Sequence, residues 1–428
     1  MTFKKRVVRI GGWYVKKNFP HFDLTLGFDQ ALALASNPAR VSEHAFWPFI
    51  GYVDQKRKFS KLKNRAPEVS NKERPLRYCS HHDGYIHAYY AKSLSERYEV
   101  FVRSYGLENA VIGYRKGLGT NVDLAKSAFD EIKLRETSCV IALDITDFFG
   151  SIDHHVLKQN LCELLEQSQL PVDWYKIYRS MTKFSWVELS ELADRLGFDQ
   201  DKVPRPICSA DSFRQKVRGG DGLNSSLVRT NAKDHGIPQG SPLSAVFSNV
   251  YMMHFDIACS REFHSRGDFY RRYSDDIIII CDVDRAGEAI DFVERQIADL
   301  GSSLKLNNAK TEVSVFERIG PDVFVCDRPV TYLGLTYDGK RTLLRARTLS
   351  RYYRRMTYAA RQAIRSAKKS ESKKLFLRST YRDLTHLGGR NFYSYAKRAS
   401  KTLKDVSAAK QLRRHFPILH RKLKTGGK

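Results

Sequence analysis

The ten residues Arg271–Ile280, RRYSDDIIII, set Asp275 and Asp276 directly against four consecutive isoleucines. A β-branched run of this kind is stiff and favours extended backbone, so Ile277–Ile280 reads as a buried strand with the two carboxylates on the tight turn that feeds it. A second apolar run, SCVIALDITDFFGSI over residues 138–152, has the same strand character up to Asp144, followed by Asp147, Phe148 and Phe149. Pairing the two strands side by side would crowd Asp144, Asp275 and Asp276 together, where their charges repel and their pKa values rise. Divalent cations remove that difficulty. A cluster of Asp oxygens suits Mg²⁺, which needs few protein ligands and keeps positions for substrate phosphates. Two such ions ~3.5–4 Å apart can activate an attacking hydroxyl and stabilise a leaving pyrophosphate, which is nucleotidyl-transfer chemistry.

The charge balance points to the substrate class. The chain carries 73 Lys and Arg against 47 Asp and Glu, a formal charge of +26, with 12% aromatic residues. Such an excess implies a polyanionic partner, nucleic acid first and a membrane surface second, because cations gain by releasing counterions from phosphates while aromatic rings offer stacking surfaces. No run approaches the ~18–20 apolar residues that span a bilayer, and MTFKKRVVRIGGWYVKK at the N-terminus lacks an apolar segment of signal-peptide length. The expectation is a soluble, cytoplasmic protein without membrane association. Seven cysteines, scattered, odd in number and never spaced C-x-x-C, indicate reduced thiols rather than a zinc site or disulfide framework. At 428 residues the chain has room for two or three domains.

Along the chain, FDQALALASN reads as helix, and residues 54–75, dense in charge and containing Pro67 and Pro75, as an exposed loop. Residues 78–98 have helical spacing, opened by a cap at Ser80 or Asp83. His81, His82 and His87 there lack a carboxylate or Cys at matching spacing and are not expected to bind metal. A helix follows at 153–167, and residues 170–235 read as long, basic and loop-rich. GIPQGSPLSAVFSNVYMMHFDIA reads as a Gly/Pro turn entering a helix, with Ser241 as cap and Pro242 at its first position. Residues 284–301 read as helix, 304–316 and 330–340 as strands and turns, and the remainder as helices with Arg, Lys and Tyr interleaved.

Five segments in order, DITDFFGSI, GIPQGSPLSAVFSN, YSDD, LKLNNAKT and YLGLTYDG, resemble the motifs of reverse transcriptases, and the resemblance runs from about Tyr78 to about Gly339. It implies an α+β right-hand polymerase: a 1–75 N-terminal extension, fingers and an antiparallel palm sheet backed by helices over 76–340, and a basic helical thumb over 341–428. It implies an enzyme, an RNA-directed DNA polymerase, with two Mg²⁺ ions, replaceable by Mn²⁺, held by Asp144, Asp275, Asp276 and the carbonyl of Ile145. Lys310 would protonate pyrophosphate, and Phe149 would exclude the ribonucleotide 2′-hydroxyl. Gln239 and Gly240 would line the nucleotide and template. In VIGYRKGLGTN, Arg115 first and Lys116 second would meet the triphosphate. Tyr273, Leu333 and Gly334 would lie near the primer, and Arg351, Arg354, Arg355 and Lys368 against duplex phosphates. Asp147, Asp256, Asp282 and Asp284 would be structural or solvated.

Within the family, no RNase H, integrase or HNH-type zinc nuclease region is found, and the retron N-A-x-x-H and V-T-G elements are missing. SHHDGYIHAYYAKSLSERYE and the Tyr/Arg-rich C-terminal helices are similar to bacterial defence-associated reverse transcriptases. That relationship implies a structured noncoding RNA as template, dNTP substrates, a cDNA product and a role in anti-phage defence, with self-association or a second defence protein left open. A retron- or intron-type enzyme and a catalytically idle RNA-binding relative are the alternatives.

The charge excess makes one prediction independent of activity. A surface making about 6–10 phosphate contacts should lose roughly 10³–10⁵ in RNA affinity between about 50 and 200 mM salt, measured by fluorescence anisotropy. A flat salt response would exclude phosphate-dominated binding.

Overall fold

Ile277–Ile280 lie in the second strand of a five-stranded antiparallel sheet that is covered on both faces. The fold is a computed structural model describing residues 10–60, 68–321, 323–371 and 373–425, with the side chains of residues 56–72 outside that description. Residues 1–9 and 61–67, part of the basic N-terminus and of the expected 54–75 loop, lie outside the described residues.

The chain begins with α1 (Phe28–Ala35), α2 (Pro38–Glu43) and the paired strands β1 (Phe49–Ser60) and β2 (Glu68–Tyr78). Long α3 (His81–Ser104) follows, its Ser80 side chain accepting from the Asp83 amide, and then α4 (Asn121–Lys133). Next come β3 (Thr137–Asp144), α5 (His154–Leu164), α6 (Val172–Thr182), β4 (Ser185–Glu188), α7 (Leu189–Leu196), one-turn α8 (Ala210–Ser212) and β5 (Arg229–Thr230). The second half of the palm is α9 (Ser244–Tyr251), α10 (Met253–Ser265), β6 (Phe269–Tyr273), β7 (Asp276–Cys281), α11 (Ala286–Ala298), β8 (Glu312–Gly320) and β9 (Val323–Cys326). Three short strands, β10 (Val330–Tyr332), β11 (Leu335–Tyr337) and β12 (Thr342–Leu344), lead to α12 (Ala346–Lys369), α13 (Arg378–Leu384), α14 (Phe392–Leu403), α15 (Ser407–Lys410) and α16 (His415–Lys424). No helix among the described residues is long and apolar enough to cross a membrane.

The palm sheet has the order β6-β7-β3-β8-β9, and the fingers sheet β2-β1-β4-β5. Antiparallel sheets with one wet face alternate apolar and polar residues; this one does not, because both faces are dry. Ile277, Ile279 and Cys281 pack with Ile141 and Leu143 against the core that includes α3, α5 and α9 to α11. Ile278 and Ile280 pack with Val140 and Phe316 against a second core formed by α4, β10 to β12 and the C-terminal helices. Each isoleucine so buried contributes about 1.5–3 kcal/mol.

Beneath the acidic turn lies one fully buried ion pair. The Arg272 guanidinium grips Asp256 of α10 through Nε at 2.7 Å and Nη2 at 2.5 Å, and Tyr270 Oη donates to the same carboxylate at 2.8 Å. Arg272 Nη1 also donates to the Ser274 carbonyl at 3.1 Å, so the pair ties α10, β6 and the turn together.

Several sequence expectations are corrected by tertiary pairing. Residues 54–75, expected as a loop, belong to the β1–β2 hairpin apart from the undescribed tip, since charge density marks exposure rather than lack of strand pairing. Residues 170–235 contain α6, β4 and α7, and a third core forms there from Val187, Leu192, Ile207, Phe213 and Val217 with remote Phe22 and Ile50. These apolar residues are sparse among charges and close into a core only across the sheet. The helix expected from Pro242 starts at Ser244; the Ser241 hydroxyl instead meets His87 Nδ1 at 3.1 Å and accepts from the Leu243 amide. Residue 75 lies within β2, and residue 340 between β11 and its partner β12.

Removing one partner of the buried pair should be expensive. Asp256→Ala strands the Arg272 charge and should lower unfolding stability by about 3–5 kcal/mol in urea titration, whereas the joint change Asp256→Leu/Arg272→Met should recover most of it.

Candidate active site

Asp144 at the end of β3 stands directly opposite Asp276 at the start of β7. The Ile145 amide donates to the Asp275 carbonyl at 3.2 Å, making Ile145 and Asp275 a hydrogen-bonded pair. Antiparallel pairs alternate, so Asp144 and Asp276 form the other kind, in which facing side chains approach closest. Asp275 and Ser274 form the two-residue loop between Tyr273 and Asp276, with Ser274 at φ 60°, the left-handed first position of a tight hairpin.

The crowding shows in the electrostatics. Withdrawal from water, then the charges of Asp275 and Asp144, push the Asp276 carboxyl up to about 6 against the opposing pull of Lys310 and Arg345. Lys310 Nζ donates to Asp144 Oδ2. The segment carrying Lys310 is seated on the end of β3: Asn307 donates its amide to the Asp144 carbonyl at 2.8 Å, and Thr146 to Lys305 at 2.9 Å. These bonds lie on the opposite side of the backbone from the Ile145 amide, and an extended residue points its N–H and C=O the same way, so the Ile145 carbonyl faces the Asp275 turn.

Asp276 stands in the fields of Asp275 and Asp144 at one sheet end, a concentration of negative charge that a bound cation would offset. No cluster of three or more His, Cys, Asp or Glu side chains among the described residues is gathered into a ready metal cage. The expected convergence is therefore partial: the strands are in register, while Asp144 is engaged by Lys310.

Half-buried Phe149, five residues after Asp144, packs against the core, and its carbonyl accepts from the Ile237 amide at 2.8 Å. The Gln239 carbonyl accepts from the Arg77 amide at 3.1 Å. Gly240, at φ 136°, lies so close to β2 that a Cβ would come within 2.4 Å of the Arg77 carbonyl oxygen, so no other residue fits. This contact draws in a residue that sequence reasoning missed. The Arg77 guanidinium lies 4.5 Å over the Trp186 ring and 5.2 Å from that of Phe184, in the fields of Glu188 and Asp147. Gly51 pairs with both Arg77 and Glu188. A Cβ on Gly51 would meet the Glu188 carboxylate at 2.8 Å, so the bare glycine leaves room for that carboxylate over β1, where its charge acts on Arg77. Only strand register reveals this, and no local signal in the sequence marks Arg77.

Arg115, expected at the triphosphate, is engaged within the fold. Its guanidinium is nearly buried, bidentate to Glu99 at 2.9 and 2.8 Å, and donates to the Glu108 and Val111 carbonyls. Its donors are committed to holding the fold. Lys116 is exposed. Leu333 and Gly334, at φ 47° and 90°, form the two-residue hairpin loop between β10 and β11, and the Arg345 amide donates to the Gly334 carbonyl at 3.0 Å. Arg345 is thereby placed between this loop and Asp276, a second residue missed from sequence. Tyr273 sits 6.1 Å from the ring of Tyr114. Arg351, Arg354, Arg355 and Lys368 are exposed on α12, whose buried side carries Tyr352, Met356 and Ala360.

A palm sheet bearing opposed aspartates, a separate fingers sheet and a basic helical C-terminal region define the α+β right-hand polymerase class. The chain belongs to the reverse transcriptase (RNA-dependent DNA polymerase) family, whose profile matches residues 63–337. Among solved structures, it is similar to telomerase from Candida albicans in complex with a TWJ fragment of telomeric RNA, at 11% identity and TM-score 0.42 over 93% of this chain and 66% of that one. Apo telomerase from Candida tropicalis is also similar, at 11% identity and TM-score 0.39 over 96% of this chain and 67% of that one. A form of the latter truncated at its C-terminal domain gives 11% identity and TM-score 0.39 over 74% and 60%. The chain thus spans about two thirds or less of these proteins' length. No curated protein matches it.

The raised Asp276 carboxyl has a signed consequence. Its stability penalty is absent below the unfolded carboxylate pKa of about 3.9 and fully developed above about 6. Asp276→Asn should therefore stabilise the metal-free protein by on the order of 1 kcal/mol at pH 8, after discounting for solvent screening, and by close to nothing at about pH 3. Thermal melts at the two pH values check this, and an equal shift at both would remove the like-charge explanation.

Proposed function

We propose that this chain is an RNA-directed DNA polymerase that copies an associated structured noncoding RNA into cDNA from dNTPs, in bacterial anti-phage defence. The observation that carries the catalytic reading is the register placing Asp144 opposite Asp276, with Asp275 on the adjoining turn and a carboxyl lifted by burial and then by like charge. Two Mg²⁺ ions, or Mn²⁺, held by Asp144, Asp275, Asp276 and the Ile145 carbonyl would supply activation of the primer 3′-hydroxyl and stabilisation of pyrophosphate.

The chain's own residues do the rest. Lys310, already beside Asp144, hands a proton to the departing pyrophosphate. Phe149 blocks the space of a 2′-hydroxyl, and the Gln239–Gly240 backbone, fastened to β2, forms the wall of the nucleotide pocket. Arg77 takes the phosphate-binding role first assigned to Arg115, because its guanidinium is held by stacking on Trp186. Lys116 remains free to assist at the rim. Tyr273, Leu333 and Gly334 support the primer, and Arg351, Arg354, Arg355 and Lys368 meet duplex phosphates along α12. The defence role rests on the likeness of residues 80–99 and the C-terminal helices to defence-associated enzymes. A cytoplasmic setting accords with it.

Primer extension on an RNA template with Mg²⁺ should be abolished in Asp275→Ala/Asp276→Ala, and the same variant should lose protection in a phage plating assay. Retained synthesis would end the catalytic assignment, and protection without synthesis would end its link to defence. Phe149→Ala should relax discrimination against ribonucleotides by about 10-fold or more, with unchanged selectivity placing the gate elsewhere.

A further inference from the structure

The acidic turn is held from outside the palm. β6 is an edge strand of the palm sheet, and the segment Ala110–Tyr114 covers that edge. The Arg272 amide donates to the Ala110 carbonyl at 2.8 Å, and the Ile112 amide to the Arg272 carbonyl at 3.0 Å. Gly113 then touches the turn itself: a Cβ there would lie 2.6 Å from the Ser274 amide nitrogen, and its carbonyl accepts from Asn249 Nδ2 at 2.9 Å. The chain next turns through Tyr114 at φ 61°, facing Ser274 at φ 60°. Two non-glycine residues in the left-handed region, side by side, persist only where the surroundings over-determine them.

Their side chains meet. Ser274 Oγ, in a residue 2% exposed, donates to Tyr114 Oη at 3.1 Å. Tyr114 is 45% exposed, so it contributes little to any core, yet its hydroxyl is placed on the residue immediately before Asp275. Below, Arg272 Nη1 holds the Ser274 carbonyl, so Ser274 is gripped at backbone and side chain from opposite sides.

We propose that Tyr114 is a positioning residue for the polymerase reaction: through Ser274, its hydroxyl fixes the direction in which Asp275 presents its carboxylate. The proposal rests on the polymerase reading of the same turn. A loosened turn leaves substrates bound and misplaces one ligand of the catalytic cation. Its signature is a fall in kcat with unchanged nucleotide KM, plus a weaker hold on Mg²⁺.

Tyr114→Phe keeps the ring and removes only the hydroxyl. In primer extension it should lower kcat about 10-fold at saturating Mg²⁺ with dNTP KM within about twofold of wild type. The Mg²⁺ concentration giving half of the cation-induced rise in Tm should increase by a similar factor. Ser274→Ala should reproduce both effects, and the double variant should be no worse than either single one, because both remove the same bond. Wild-type kcat and Mg²⁺ dependence in Tyr114→Phe would overturn the proposal. So would a loss of activity that tracks a drop in metal-free Tm, which marks a merely structural bond. If the wild type extends no primer, the polymerase reading fails by itself, and the Mg²⁺ titration of Tm still decides the claim about Tyr114.

Discussion

The pairing of β3 with β7 inside a sheet dry on both faces is the constraint from which the rest of the molecule follows. A strand buried on two sides has no polar residue to spare, so the carboxylates can appear only where the ladder ends. Register then does the chemistry's work: a shift of one residue would move every isoleucine to the other core and break the opposition of Asp144 and Asp276. The same apolar contacts that stabilise the palm thus aim its charges.

Concentrating like charge at the sheet end works against stability, and cations of different burial surround it in different roles. Arg272 is sealed beneath the turn and compensated by Asp256, so it acts as a rivet rather than as a partner for the carboxylates of the acidic turn. Lys310 and Arg345 are exposed and reach Asp144 and the field of Asp276 from separate segments. A buried, fully paired charge resists displacement, whereas an exposed one can exchange partners at little cost. That division leaves the turn rigid while the charges around it can change partners.

The strands ending at Asp144 and beginning at Asp276, the capped helix from Ser80 and the turn before α9 were legible because each is marked by neighbours in sequence. The β1–β2 hairpin was not: its charges resemble a loop, and its pairing depends on a partner strand. Arg115 misled for a related reason. A basic residue in a glycine-rich stretch looks available to phosphate, but its partner Glu99 comes from α3, and only folding brings that carboxylate within 2.8 Å. Arg77 was overlooked by the same token, since its value comes from Trp186, Gly51 and Gln239, none of them near it in sequence.

By itself, the sequence determined the chemistry's inventory: two apolar strands ending in acid, a basic surface and motifs in the order of reverse transcriptases. These are local properties, set by side-chain type and spacing over a few residues. Tertiary structure alone decided which charges are spent on the fold and which face the cleft, and how Tyr114, Ser274 and Arg272 clamp the acidic turn. Those outcomes depend on contacts across more than a hundred residues of chain, where burial and geometry, rather than identity, set what each group can do.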